Sequence, residues 1–271
     1  RAALGRRGIS PRDVERIVEA YGKKLLERMP ALVDETGSFT SSTLASRLTK
    51  SFDLMGGALA LDSGDCSGVS ALSAAVDLLR QRDCDAVLCA AGQRYLDLMA
   101  FEGLSLQGLL ADQPSSVFDP SRPGRVPGEG AVVMVLKRLA DARAAGNRIH
   151  GVIRGVAVGS GDSAAGTAAR VVREARLQAG IVPGAVTALD ITGSGTGEAN
   201  DAELGAVAAE YGAGAVGGAV EAIVGHLGAA AAAAGMIKLA DVLESGRMPA
   251  MPVAGPARPG LPAAAAEPVA A

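Results

Sequence analysis

Apolar positions at the start of the chain recur at helical spacing. In PRDVERIVEAYGKKLLERM (11–29), Val14, Ile17, Val18, Tyr21, Leu25 and Leu26 fall three or four residues apart. That spacing predicts an amphipathic helix, with Pro11 and Asp13 suited to its first turn. TSSTLASRLTK (40–50) predicts a second, shorter helix. Downstream the pattern changes to short apolar runs punctuated by glycine. GGALALD (56–62), DAVLCAAG (85–92), AVVMVLKRL (131–139), HGVIRGVAVGS (150–160) and the start of VTALDITGSG (186–195) each predict a buried strand. Between them, helices are expected over 67–80, over 164–180 with Gly180 at its end, and over 201–212 with Gly212 at its end. A small-residue helix closes at Gly246, and FDPSRPGRVPGEG (118–130) is a loop by its proline and glycine content. Strands alternating with helices predict an α/β fold whose sheet is covered on both faces.

The Pro- and Ala-rich stretch 248–271 predicts an extended linker or solvated terminus. The expected organisation is an N-terminal helical segment (1–37), a core (38–248) and this tail (249–271). Composition refines the core. Hydrophobic residues make up 49% of the 271 residues but aromatics only 3%, so the interior is built from Ala, Val, Leu and Ile, with close backbone approaches at some of the 36 glycines. The net charge of −3 comes without a basic stripe, which argues against nucleic acid as a partner. The alanine-rich run near 229–240 is too short to span a membrane and meets Lys238 and Asp241. The three cysteines (Cys66, Cys84, Cys89) have no metal-ligand spacing with histidine and no disulfide framework, so a reducing cytoplasm is expected. No signal peptide opens the chain, which begins in a charged, helix-like stretch as a fragment would.

Four stretches carry a family likeness. They are SRLTKSFDLMGGALALDSGDCSGVSAL, FDPSRPGRVPGEGAVVMVLKRLADARAAGNRIHGVIRG, LDITGSGTGEANDAE and VGHLGAAAAAAGMIK. Their order and spacing over roughly 38–248 resemble the ketosynthase domains of fatty-acid and polyketide synthases. The approach DETGSFTSSTLASRL looks most like the ketosynthases of polyunsaturated-fatty-acid and enediyne-type iterative synthases. The resemblance implies a thiolase-like layered α/β/α/β/α fold. The family's opening strand and its closing GGTNA-type motif have no counterpart here, so an incomplete version of that fold is expected.

The resemblance also fixes a register. The family reads D-T-A-C-S-S-S-L-x-A-L. Counting three residues on from Asp62, or seven back from Leu72, gives position 65 for the nucleophile. Asp65 therefore stands where the family has its cysteine, and Cys66 is one place on, turned by about 100° on a helix. Outside the family frame, Cys66 reads as a small buried hydrophobe and Asp65 as the N-cap of the following helix. The first family histidine falls on Thr192, which can donate a hydrogen bond but cannot shuttle a proton near neutral pH. The second survives as His226. The lysine five residues before it becomes Glu221 and the glutamate two after it becomes Gly228. A purely structural, hydrogen-bonded His226 is the competing reading. Glu203 matches a family glutamate and reads as a packing or salt-bridge position. His150 reads as a surface or structural residue. The 193–197 glycine loop is weak evidence for a phosphate cradle.

Condensation needs a thiolate to carry the acyl chain as a thioester, and donors for the enolate that decarboxylation produces. With these positions replaced, the resemblance implies a catalytically degenerate homologue, the chain length factor or KSβ. Such a chain pairs with an active ketosynthase as a heterodimer and shapes the acyl tunnel. It has no cofactor of its own; the acyl group rides the phosphopantetheine arm of an acyl carrier protein. The small residues Gly56, Gly57, Ala58 and Ala60 fit close packing at such an interface, or an ordinary core. Three alternatives stay open: a malonyl-carrier-protein decarboxylase for chain priming, an active synthase using Cys66, and a scaffold that only dimerises.

Overall fold

The computed structural model of the chain describes residues 4, 6–28, 42–111, 124–193, 197–212 and 215–250. It divides into two units, residues 1–60 and 61–271. The tail from 251, the loop over 118–123 and the centre of the 193–197 glycine loop lie outside the described residues.

The first unit holds the two expected helices, α1 (Pro11–Arg28) and α2 (Ser42–Ser51). Ser10 starts α1: its Oγ accepts the Asp13 N–H at 3.2 Å and donates to the Asp13 carboxylate at 2.8 Å. Pro11 occupies the first helical position, where its missing N–H costs nothing. Val14 is buried, while Ile17 and Tyr21 of the predicted apolar stripe are exposed.

The second unit begins with α3 (Ser67–Gln81). Next come β1 (Ala86–Gln93), α4 (Leu98–Leu106), β2 (Gly130–Lys137) and α5 (Leu139–Ala144). α6 (Ala164–Ala179) then leads to β3 (Ala188–Asp190), α7 (Gly197–Tyr211), β4 (Val216–Gly218), α8 (Glu221–Val224) and α9 (Ala231–Ser245). Gly180 and Gly246 close α6 and α9 in the left-handed conformation, as expected.

Among the described residues the strands form two two-stranded sheets. β1 and β2 pair antiparallel, with Cys89 opposite Met134. Their inward face packs Cys89, Val87, Met134 and Leu136 against Leu72 and Ala75 of α3 and Met236 of α9. Their outward face leaves Val133 and Val135 exposed, Val135 at 73%. Among the described residues this sheet is covered on one face, not both. Its side chains alternate with the period of two that a half-covered strand requires. β3 and β4 pair in parallel, joined through α7. Ile191, Leu204, Val207 and Ala219 form the core beneath them.

Two predicted strands are absent. Residues 56–62 and 150–160 adopt no ladder. A strand needs a partner edge for its backbone groups, and among the described residues neither segment has one. Ile153 and Val156 still reach the core against Leu72 and Cys89, so their apolar character is used for packing. Leu59 and Leu61 are exposed. A side chain built at Gly56 or Gly57 would meet nothing within 4 Å, so these glycines serve no close approach among the described residues.

Candidate active site

Asp65 is presented by a tight turn. The Asp62 carboxylate accepts the Gly64 N–H at 3.1 Å, and Gly64 takes a positive φ of 62°. Ser67 Oγ accepts the Ser63 N–H at 2.9 Å and donates to the Gly64 carbonyl at 2.6 Å. The helix then starts with Cys66, not Asp65, at the N-cap, and no side chain caps it. The expected Asp65 cap is therefore corrected: its carboxylate instead faces Arg125 and His226.

Three glycines set that meeting. A Cβ on Gly68 would lie 2.5 Å from the Ala229 carbonyl oxygen, so the first turn of α3 rests directly on the 3₁₀ turn Gly228–Ala230 that follows His226. A Cβ on Gly128 would lie 2.3 Å from the Val224 carbonyl oxygen, and Gly225 has φ 82°. The loop at 124–130 is thus pressed against 224–226. There the His226 N–H donates to the Val126 carbonyl at 2.7 Å, and the Gly128 N–H donates to the His226 carbonyl at 3.0 Å. Arg125 is fixed in turn, its N–H donating to the Leu109 carbonyl at 2.7 Å.

The result is a line of four charged side chains. Arg125 Nη2 lies 3.1 Å from Asp65 Oδ2, and His226 Nε2 lies 3.6 Å from the same oxygen. On the far side of the ring, His226 Nδ1 is 3.0 Å from Glu221 Oε1 and 3.1 Å from Oε2. Glu221 also accepts the Leu227 N–H at 2.8 Å. Exposure falls inward: the Asp65 side chain is 44% exposed, His226 3% and Glu221 0%. Tyr95 stacks on the imidazole, with ring centroids 5.7 Å apart.

Electrostatics follow from this order. The His226 imidazole chiefly, and then Arg125, hold the Asp65 carboxyl below the ordinary aspartate range against its partial burial. Burial opposes a charge on His226, but the carboxylates of Asp65 and Glu221 outweigh it and raise the ring's pKa. At 3.6 Å the Asp65 oxygen is within ion-pair range but too far for a hydrogen bond. His226 Nε2, which donates when the ring is protonated, is accordingly buried without a hydrogen-bond partner among the described residues.

Of the sequence-predicted residues, Asp65 and His226 are brought together. Cys66 is exposed rather than buried: at the N-cap it lies outside the α3 face that carries Leu72, Ala75 and Leu79 inward. Thr192 is held by its backbone: its N–H and that of Gly193 donate to the Glu203 carboxylate at 2.7 and 3.0 Å. Among the described residues no hydrogen bond joins the Thr192 hydroxyl to Asp65 or His226. Among the described residues Glu203 thus serves as a backbone acceptor and not as a salt-bridge partner. Its carboxylate takes the Thr192 and Gly193 amides at the start of the glycine loop, although burial pushes its pKa up. His226 is buried and hydrogen-bonded to Glu221, which also fits the structural reading, and Asp65 flanks its other nitrogen. His150 is a surface residue, bonded through Nδ1 to Glu244 at 2.6 Å.

Sequence reasoning missed Arg125, Tyr95 and the partnership of Glu221. Arg125 stands inside a Pro/Gly loop whose composition carries no sign that this side chain turns inward. Glu221 carried a usable signal: it lies five residues before His226, across a short helix and a glycine. No group of three or more His, Cys, Asp or Glu residues suited to a metal occurs among the described residues. No described helix is long and apolar enough to cross a membrane.

Comparison with known proteins identifies the family. The family model of the beta-ketoacyl synthase N-terminal domain matches residues 8–142, and that of the C-terminal domain matches residues 150–253. The pikromycin polyketide synthase component PikAIII of Streptomyces venezuelae is 34% identical over 220 residues, 76% of this chain and 14% of that protein. A polyunsaturated fatty acid synthase polypeptide of a Thraustochytrium species is 31% identical over 263 residues, 91% of this chain and 9% of that protein. The chain therefore spans a small part of the curated relatives it matches. An oxazolomycin ketosynthase domain from Streptomyces albus superposes with a TM-score of 0.75 at 24% identity, covering 83% of this chain and 41% of that one. A type II polyketide ketosynthase in complex with its acyl carrier protein superposes at 0.76 and 21% identity, covering 85% and 62%. These likenesses show the thiolase-like fold, of which this chain covers part. With both halves of the family matched in order along one chain, the protein belongs to the beta-ketoacyl synthase family.

Proposed function

We propose that this chain is a non-condensing ketosynthase homologue that acts as a chain length factor. It pairs with an active ketosynthase and shapes the tunnel for an acyl chain delivered on the phosphopantetheine arm of an acyl carrier protein. The observation that carries the reading is Asp65, at the nucleophile's place, paired with Arg125 at 3.1 Å and His226 at 3.6 Å. A carboxylate paired with a guanidinium and lying beside an imidazole is a weak nucleophile, and its acyl product would be a labile anhydride. Its charge also opposes an enolate developing beside it. Cys66, the other candidate nucleophile at this turn, is exposed and has no histidine partner among the described residues.

The test is to incubate the purified chain with acyl and malonyl carrier proteins, alone and with a co-expressed ketosynthase. No thioester on Cys66 and no condensation product are expected from the chain alone, with condensation appearing in the pair. An acyl adduct on Cys66, detected by mass spectrometry, would end this reading. So would product lengths that ignore substitutions in the chain.

One observation favours a second reading, a malonyl-carrier-protein decarboxylase for priming. The unpartnered Nε2 of His226 is, when the ring is protonated, a donor of the kind enolate stabilisation uses. Acetyl carrier protein formed rapidly by the isolated chain would establish it.

A further inference from the structure

Arg125 and His226 converge on one carboxylate oxygen from two separate loops. Arg125 is fixed by its backbone bonds to the strand-like pairing with Leu109 and Ala111. His226 is fixed by backbone bonds to Val126 and Gly128 and by Glu221 behind its ring. Neither backbone segment depends on Asp65 for its position. The histidine donor is 3.6 Å from the Asp65 oxygen and makes no hydrogen bond. A planar guanidinium beside a buried imidazole that carries a proton on Nε2 when charged is the chemistry that recognises a carboxylate. Here the carboxylate is tethered to the turn at 62–67, and it fills the place incompletely.

We propose that Arg125 and His226 Nε2 form a seat for a small carboxylate, that Asp65 occupies it as a resident anion, and that Asp65 thereby keeps free carboxylates such as a malonyl group out. Of Asp65, His226 and Glu221, only Asp65 is substantially exposed, so the seat opens toward solvent at the carboxylate and not deeper along the line. A second negative charge approaching this opening meets Asp65 before it meets either cation. The malonyl part of the inference rests on the reading that Asp65 stands at the acyl site. The seat itself does not.

The experiment uses the full chain with Asp65→Ala, in matched concentrations of sodium acetate and sodium chloride. Acetate at about ten times its dissociation constant is expected to raise the variant's melting temperature by roughly 3 °C relative to chloride. Wild type should show no such difference, and the double variant Asp65→Ala/Arg125→Ala should lose it. A folded Asp65→Ala that ignores acetate would overturn the seat. Wild type responding as strongly as the variant would overturn the occupancy by Asp65. Asp65→Ser serves if alanine is not tolerated. If both variants fold only in acetate the seat stands, and if neither folds in either salt it does not. These outcomes are independent of condensation assays, so failure of the seat and failure of the non-condensing reading are separable.

Discussion

Glu221 and His226 share a hydrogen bond of about 3 Å inside a site where the glutamate side chain has no exposure to solvent. The glutamate replaces the lysine that the family register leads one to expect, and its negative charge changes what the histidine can be. A cation at that position would disfavour a charged imidazole, whereas a carboxylate supports one. Removing it should be costly. Glu221→Ala leaves the Leu227 N–H and a flanked imidazole without their acceptor. The expected loss is roughly 3–5 kcal/mol, read as a lower urea midpoint. Glu221→Gln, which keeps one acceptor oxygen, should lose less.

The Asp65–His226 pair should leave a mark on stability against pH. Asp65 has a folded pKa below its unfolded value, so its contribution is present above about pH 4 and fades as pH falls through the depressed value. His226 has a raised folded pKa, so its contribution is complete below about pH 6.5 and is lost as pH climbs through the raised value. The pair is therefore strongest between these limits. Asp190 and Glu203, both raised by burial, act in the opposite sense as carboxylates ionise. The comparison that isolates the pair is wild type against Asp65→Asn. The gap in their urea midpoints should be widest near pH 5 and should narrow toward pH 9. A gap that stays constant across this range would contradict the assignment.

Thiol chemistry should separate the cysteines. Cys66 is exposed at the start of α3, whereas Cys89 is buried in β1 and burial pushes its thiol pKa up. Iodoacetamide under native conditions should label Cys66 at least about tenfold faster than Cys89, measured by peptide mass spectrometry. Equal rates would mean that β1 opens readily.

Two glycines should respond oppositely to alanine. Gly228 has φ 48°, and a Cβ there would lie 2.8 Å from Gln93 Oε1 and 3.0 Å from the Tyr95 hydroxyl. Gly228→Ala should destabilise by about 1–3 kcal/mol and disturb the ring stacked on His226. Gly205 lies in the middle of α7 with nothing within 4 Å of its would-be Cβ. Gly205→Ala should stabilise by about 0.5–1 kcal/mol. Thermal or urea unfolding of the two variants checks both.

Helices were legible in the sequence because their signals are local. The 3.6 period of α1, the glycine ends of α6 and α9 and the small residues of α9 all lie within a few positions of one another. Strands were legible only where a partner exists. DAVLCAAG and GGALALD have similar character, yet the first pairs with β2 and the second pairs with nothing described. Pairing depends on a distant edge, which local composition does not encode. The site divides the same way. Asp65 and His226 were found by motif register, but the inward turn of Arg125 depends on Gly128 lying against Val224, a contact between segments far apart in the chain.

With His226 protonated, the formal charges of Arg125, Asp65, His226 and Glu221 cancel within one small cluster. That balance couples the four positions to one another. A neutral residue at 65 alone strips a counter-ion from a guanidinium, and a lysine at 221 alone is set against a protonated ring. Either single step lowers stability, and substitutions within the cluster should be non-additive.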